Sequence, residues 1–273
     1  MRRFVFVGAK AIVTGAASGI GEALSRGLGS RGSSLVLIDR DAAGLTRVAD
    51  DLRSKHPGIS VATVTGDLSD RDDTDRIGAE MAAQHTDTTL LINCAGVALG
   101  GTFDQVSLED FRWLFEINFH SAVTLTHHVL PALQRNRGSH LVNVSSVYGL
   151  VAPPGQAAYA SSKFALRGFT ESLRAEAAWW DVGVSCVHPG GIKTAIASNA
   201  RIGAQISPSE AQKRVDRING SLTISPSDAA ETILRGVERR KPRVLIGLSA
   251  RLPDVMARIA PGNYIKLLRH FID

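Results

Sequence analysis

A tyrosine and a lysine, Tyr159 and Lys163, stand four residues apart in the stretch AAYASSKFAL. On a helix, residues four apart project from nearly one face, so both side chains can enter a single site. A free tyrosine, with a pKa of about 10, is a poor base near neutral pH. An adjacent ammonium stabilises the phenolate and lowers that value by about 1–3 units, which makes a usable general acid and base. Taken alone, Y-x-x-x-K is a spacing that chance supplies often, and a solvated helix face is its ordinary explanation. Its meaning depends on what surrounds it.

A second stretch with chemical content is TGAASGIGEAL, from Thr14 to Leu24, which follows an apolar run and opens a helical pattern. Its glycines are spaced G-x-x-x-G-x-G, a variant of the commoner G-x-G-x-x-G. Glycines there permit a tight turn and let backbone amides approach a pyrophosphate at a helix N-terminus. Gly15, Ser18, Gly19, Ile20 and Gly21 are the candidates for that contact. Asp39 closes the next apolar run, twenty positions after Gly19. It can accept hydrogen bonds from an adenosine ribose, and its charge would repel a 2′-phosphate, which favours NAD over NADP. Arg40 leaves NADP open, since a guanidinium next door could pair with that phosphate. Asp39 could also serve only as the cap of the helix that follows.

The elements that must position these groups are seven short runs rich in Val, Ile and Leu: KAIVTGA, SLVLIDR, VATVTGD, TLLINCAG, HLVNVSS, VGVSCVHPGG and RVLIG. They alternate with longer segments of helical period. Each is apolar nearly throughout, as expected of strands covered on both faces. The pattern predicts an α/β protein of Rossmann type, a doubly wound seven-stranded parallel sheet with helices on both faces in a single domain. The site then falls at the carboxyl ends of the strands. The segment 195–225 reads as a polar, loop-like stretch with Pro208 near its middle, of the length that often forms a lid over a substrate. A short helix follows through DAAETILRGVE. We assign residues 1–250 to the catalytic domain and 251–273 to an amphipathic tail of two helical pieces broken by APGN. The tail carries Leu252, Val255, Met256 and Ile259, then Ile265, Leu268, Phe271 and Ile272. Packing against its own domain or a sister subunit is the favoured reading. Arg251, Arg258, Lys266 and Arg269 keep a membrane-surface contact as the second.

At 273 residues, one α/β core suffices. The apolar fraction of 44% and charged fraction of 21% are those of an ordinary globular protein. A net charge of +5 does not imply nucleic acid, because the basic residues are scattered and only RGVERRKPR, from Arg235 to Arg243, approaches a cluster. Cys94 and Cys186 lie in apolar runs without metal-ligand spacing, as buried thiols of a reducing compartment do. His120, His127 and His128 lack acidic or cysteine partners at ligand spacing, so no metal is expected. The N-terminal apolar run is too short for a signal peptide and no stretch approaches a membrane span, so the expected location is cytoplasmic.

Taken in order, TGAASGIG, GDL from Gly66, NCAG from Asn93, Asn118 in FEINF, VNVSS, YASSK and HPGGIKT give Tyr159 and Lys163 a different standing. The chain resembles the short-chain dehydrogenase/reductase family from Lys10 to Gly247. That resemblance implies an NAD(P)-dependent oxidoreductase that interconverts a secondary alcohol and a ketone. Tyr159 would be the acid and base, and Lys163 would lower its pKa and hold the nicotinamide ribose. Ser146, with Ser145 the weaker candidate, would hydrogen-bond the substrate oxygen, and Asn118 would hold a water linking Lys163 to solvent. Asp67 and Leu68 look like adenine contacts, and Asn93, Ala95 and Gly96 like the strand end bordering the ribose. Pro189, Gly190, Ile192 and Thr194 match the nicotinamide-side loop. Where the family usually has alanine in N-A-G, this chain has Cys94, a small residue that should be tolerated.

The competing reading is a catalytically silent nucleotide-binding sensor or scaffold on the same fold. It predicts a replacement at Tyr159, Lys163 or Ser146, and none is replaced. A serine hydrolase is set aside because G-x-S-x-G is absent. The apolar stretch from Val147 to Pro154 favours a hydrophobic alcohol or ketone. The resemblance also implies a homodimer or homotetramer, paired through the helices of FRWLFEINFHSAV and AYASSKFALRGFTESL.

Overall fold

Each of the seven apolar runs becomes a strand of one sheet. The computed structural model describes residues 2–203 and 205–266, with all their side chains except those of residues 208, 214, 217, 218 and 221. In chain order the strands are β1 (Lys10–Thr14), β2 (Ser34–Asp39), β3 (Val61–Thr65), β4 (Leu90–Asn93), β5 (Leu99–Gly100), β6 (His140–Val144), β7 (Gly183–Pro189), β8 (Arg201–Ile202) and β9 (Arg243–Ile246). Seven form a parallel sheet in the order β3-β2-β1-β4-β6-β7-β9. β5 and β8 form a separate two-stranded sheet that the apolar pattern does not announce. The chain adds β2 and β3 on one side of β1 and then returns to add β4 on the other. The order reverses between β1 and β4, and a crevice opens above their carboxyl ends.

The helices are α1 (Gly19–Gly29), α2 (Ala42–Lys55), α3 (Arg71–Gln84), α4 (Leu108–Phe115), α5 (Ser121–Arg135), α6 (Ala157–Ala177), α7 (Pro208–Ser221), α8 (Pro226–Glu238) and α9 (Leu248–Ile259). One face of the sheet packs Leu24 and Leu28 of α1, Leu45 and Val48 of α2, and Ile233 and Leu234 of α8. The other face packs Ile77 and Met81 of α3, Leu125 and Val129 of α5, and Leu173 of α6. Burial on both faces explains why β1, β2, β4, β6 and β7 read as continuous apolar runs. The edge strands β3 and β9 are the exceptions: β3 buries Val61 and Val64 but exposes Thr63 and Thr65, and β9 alternates half-buried and buried residues.

The segment 195–225 is not the loop its composition suggests, because it contains β8 and the fourteen-residue α7. Few apolar residues mark α7, so its helical period is faint. The start signal is local: the Ser207 side chain accepts from the Glu210 amide, with Pro208 at the first helical position. α8 repeats the device with Ser225, Pro226 and Asp228. α9 begins at Leu248, three residues before the expected tail, and buries Ala250 and Asp254. A further helical turn covers residues 264–266. Leu268, Arg269, Phe271 and Ile272 lie outside the described residues.

Two histidines in the sheet carry a pH dependence. Burial pushes His140 down to about 3 and His188 down to about 4. The Ser185 hydroxyl donates to the Lys241 carbonyl at 2.6 Å and so receives the His140 Nε2 proton at 2.7 Å, while Nδ1 of His140 has no partner. Both rings stay neutral in the folded state, whereas the unfolded chain protonates them near 6.5. Their contribution is therefore complete above pH 6.5 and is lost as pH falls toward 4. At pH 5 each costs about 2 kcal/mol of stability relative to pH 7.5. Urea unfolding at the two pH values measures the difference. A His140→Asn variant should show a smaller drop than the wild type, and an equal drop would refute the assignment.

Candidate active site

The crevice floor is built by glycines where a side chain has no room. Gly15 and Gly19 have φ of +67° and +56°, in the left-handed region that favours glycine. A Cβ on Gly15 would lie 2.9 Å from the Ala95 Cα, and one on Gly21 only 2.0 Å from the Gly15 carbonyl oxygen. Ser18 is the N-cap of α1, is exposed, and its side chain caps nothing, which leaves the first-turn amides open toward the crevice. Ile20 is half-buried against the core behind them. Thr14 joins the two central strands here, because its hydroxyl accepts from the Cys94 and Ala95 amides at 3.0 Å each. Sequence reading gave Thr14 no role, and TG at the end of a strand is the signal that could have found it.

At the end of β2 the Asp39 carboxylate accepts from the Ala17 amide at 3.0 Å and the Asp41 amide at 3.1 Å. It therefore joins the glycine turn to β2. The cap of α2 is Asp41, which accepts from the Gly44 amide. Arg40 is exposed and has no ion-pair partner among the described residues. Arg47, which sequence reading missed, holds the turn from outside by donating to the Ala17 carbonyl and to Glu22. Its guanidinium keeps the Glu22 carboxyl below the usual range. Beyond β3, the Asp67 carboxylate accepts from the Ser69 amide at 2.9 Å, and Leu68 is buried.

Asn93 behaves differently from its neighbours. Its amide group is buried between β4 and α5 and donates to the Asn143 side chain at 2.9 Å and the Thr126 hydroxyl at 3.1 Å. Only its backbone remains for a ligand in the crevice. Gly96 forms the tight corner instead: the point where its Cβ would stand is 3.3 Å from both the Asn118 Oδ1 and the Lys163 Nζ.

Asn118 sits in a wider, π-type turn, Glu116–His120, between α4 and α5, a feature frequent at functional sites. Its side chain accepts from the Val97 amide at 2.8 Å and donates to the Val97 carbonyl at 3.0 Å and to the Ser162 hydroxyl at 3.2 Å. Ser162, small and buried between Tyr159 and Lys163, lets the π turn approach α6. The clamp fixes the β4 loop against α6.

Tyr159 and Lys163 lie on one face of α6, with the Lys163 Nζ 5.7 Å from the Tyr159 ring centroid. The lysine is 3% exposed, and its ammonium donates to the Val144 carbonyl at 3.1 Å. The two serines separate cleanly. The Ser145 hydroxyl donates to the Lys163 carbonyl at 2.9 Å and belongs to the packing of α6. The Ser146 hydroxyl accepts from the Tyr148 amide at 3.1 Å. His188, another residue sequence reading missed, donates from Nδ1 to the Ser146 carbonyl at 2.9 Å and so holds that serine from beneath. Tyr148 meets Tyr159 edge to face, ring centroids 6.0 Å apart.

The electrostatics correct one expectation. Lys163 does not lower the Tyr159 pKa in this state. Burial pushes the phenol up to about 12, against a smaller opposing effect of the nearby Ser146 hydroxyl, and pushes the Lys163 ammonium down to about 8. The ammonium spends its hydrogen bond on Val144 and faces the tyrosine ring, so desolvation of each group prevails. Cys94 is half-buried and Cys186 buried, and burial pushes both thiols up to about 12, which leaves them unreactive.

The far wall follows β7. Pro189 ends the strand, and a Cβ on Gly190 would lie 2.8 Å from the Ser249 Oγ. Ile192 bridges to Ile224. The Thr194 methyl stands 3.3 Å from where a Gly19 side chain would begin, so this loop faces the glycine turn. The structure thus gathers Asn118, Ser146, Tyr159, Lys163 and Gly96 in one corner, with the glycine turn and Thr194 beside it.

Comparison with known proteins agrees with this geometry. The short chain dehydrogenase family pattern matches residues 9–205. A Mycobacterium tuberculosis protein named as an oxidoreductase, SadH, is 37% identical over 270 residues, 96% of this chain and 95% of the relative. Dehydrogenase/reductase SDR family member 7B of Xenopus laevis is 32% identical over 262 residues, 94% and 80% of the two chains. A short chain dehydrogenase/reductase from Burkholderia phymatum, solved with NAD, superposes with a TM-score of 0.85 at 29% identity, over 94% of this chain and 95% of that one. A Sphingobium yanoikuyae enzyme solved with NADPH gives 0.77 at 25% identity, over 93% and 94%.

Proposed function

The chain belongs to the short-chain dehydrogenase family, and on that premise we propose that it interconverts a secondary alcohol and a ketone with Tyr159 as proton carrier. It is an oxidoreductase acting on CH–OH donors with NAD or NADP. The observation that carries the finer reading is the placement of Tyr159 and the buried Lys163 on one face of α6, with Tyr148, from the turn that Ser146 caps, edge to face on the Tyr159 ring. The glycine turn, open at the α1 N-terminus and too close-packed for side chains, fits a dinucleotide pyrophosphate. Asp39 and Arg40 lie at the adenosine-ribose end, Asp67 and Leu68 at the adenine, and Lys163 with Pro189 to Thr194 at the nicotinamide. Bound there, the cofactor supplies a hydride acceptor or donor.

With a pKa near 12, the Tyr159 phenol carries its proton at neutral pH and serves as the acid in ketone reduction. In this reading Ser146 is the second donor to the substrate oxygen. A preorganised donor to a developing oxyanion is worth about 2.7–4 kcal/mol. Proton loss from Tyr159 leaves a phenolate beside Lys163, and the ammonium stabilises it while charged. The Asn118 side chain is committed to Val97 and Ser162. A water held by this residue would therefore sit on its backbone carbonyl in the widened turn.

Asp39 supports NAD as the preferred cofactor. Tyr148, Val147 and Val97 near the corner support a hydrophobic substrate. A row of half-buried rings, Phe111, Phe115 and Phe119, continues to Phe169 across α4 and α6 and supports pairing with a second copy.

Nicotinamide absorbance, followed with NAD and NADP offered separately against a panel of secondary alcohols and ketones, tests the reading. NAD should be preferred by about tenfold, apolar substrates should turn over, and Tyr159→Phe should lower kcat by about 10²–10⁴. Undiminished turnover in the variant would sink the mechanism, and turnover of sugars alone would sink the substrate class. In the reductive direction, kcat/KM should be flat from pH 6 to 7 and decline as pH rises through about 8, where Lys163 loses its charge. A profile flat to pH 10 would exclude that role. Sedimentation equilibrium should return a dimer or tetramer, and a stable monomer would refute pairing.

A further inference from the structure

Outside the crevice, the end of α8, β9 and the start of α9 enclose a groove of about 340 Å³ lined by Arg235, Arg239, Lys241, Arg243 and Arg251. No carboxylate lines it. Two of the five cations have acidic partners nearby: Arg235 donates to Glu231 at 2.7 Å, and Arg243 pairs with Asp254. Arg239, Lys241 and Arg251 are exposed and have no ion-pair partner among the described residues. The Arg243 Nε is buried with no hydrogen-bond partner. The groove sits at the edge strand of the sheet, where charged side chains also discourage pairing with another strand.

Beside it, α9 turns its apolar face outward. Leu248, Leu252, Val255 and Ile259 are 70%, 57%, 50% and 79% exposed. Their spacing gathers them within an arc of about 60° on the helix. Arg251 and Arg258 flank this stripe on one side, and because Arg251 also lines the groove, stripe and groove form one continuous surface. Arg258 shares Asp254 with Arg243, at 3.2 Å. The sequence beyond the described residues, LLRHFID, has the same mixture of large apolar residues with a basic one.

We propose that this surface docks on an anionic lipid bilayer, with phosphate-bearing headgroups in the groove and the α9 stripe in the acyl boundary. A groove alone would suit a free anion, and a stripe alone would suit a second copy. Their continuity selects an occupant that is both apolar and anionic. A second copy related by a two-fold axis would instead bring the two sets of cations together. No helix among the described residues is long and apolar enough to cross a membrane, so the contact lies in the interface plane.

Co-sedimentation of the full chain with vesicles tests this. Vesicles of phosphatidylcholine alone are compared with vesicles containing phosphatidylglycerol, at low and high salt. Binding should require the anionic lipid and weaken with salt. The combined Arg239→Glu, Lys241→Glu and Arg251→Glu variant should lower it at least about tenfold. The combined Leu252→Ser and Ile259→Ser variant should also lower it severalfold, with melting temperature and turnover retained in both. Equal binding to neutral vesicles, or no binding at all, would overturn the proposal. So would full binding by the serine variant together with displacement by millimolar inorganic phosphate, which would mark a free-anion site. Loss of self-association in the serine variant, without change in vesicle binding, would assign the stripe to a second copy.

Discussion

The burial of one ammonium organises the site. Lys163 is held almost entirely out of water at the end of β6, and a pKa brought from 10.5 to about 8 means that its charge costs about 3 kcal/mol relative to solution. The surroundings exist to tolerate that cost while leaving the charge available. Val144 supplies one acceptor, Gly96 keeps a side chain away from the ammonium and the Asn118 Oδ1, and Ser162 lets the π turn close over α6. The same desolvation keeps the Tyr159 phenol protonated. The pair is therefore held as a neutral phenol beside an ammonium, with no phenolate yet present to compensate the charge of Lys163.

This corner depends in turn on the junction of β1 and β4. The Thr14 hydroxyl holds the two strand ends together, and Gly15 and Gly21 let the turn above them pack backbone against backbone. Asp39 and Arg47 fasten the same turn from β2 and α2. The crevice thus has a closely braced floor on the side of the glycine turn. On the substrate side its rim is assembled from pieces distant in sequence: β5 with β8, the Gly101 amide on the Gly155 carbonyl, and the Ala152 amide on the Tyr264 hydroxyl. The attachment to the C-terminal segment connects the rim to the surface that carries the basic groove.

Much of this was legible from composition and order. Strands buried on both faces must read as continuous apolar runs, so the sheet and its seven members could be read directly. The edge strands β3 and β9 depart from that pattern because water reaches the open edges of the sheet. The helix α7 was not legible from period because most of its residues are polar. Its start was nevertheless written in Ser207, Pro208 and Glu210, a local capping signal that outlasts weak amphipathicity. The family resemblance favours Ser146 over Ser145, and only folding shows that the Ser145 hydroxyl is placed on the backbone of α6.

The chain alone determined which chemical groups the protein owns and the order in which strands and helices deliver them. Hydrophobic periodicity, glycine spacing and caps are local properties, and they act before distant segments meet. Only the tertiary structure decided how those groups behave. That Lys163 bonds Val144, that His188 supports Ser146, and that the Asn93 side chain turns into the core follow from contacts between residues far apart in sequence. So does the joining of Arg239, Lys241 and Arg251 into one groove. Desolvation and charge proximity set a pKa or a binding surface, and both depend on distances that no linear spacing contains.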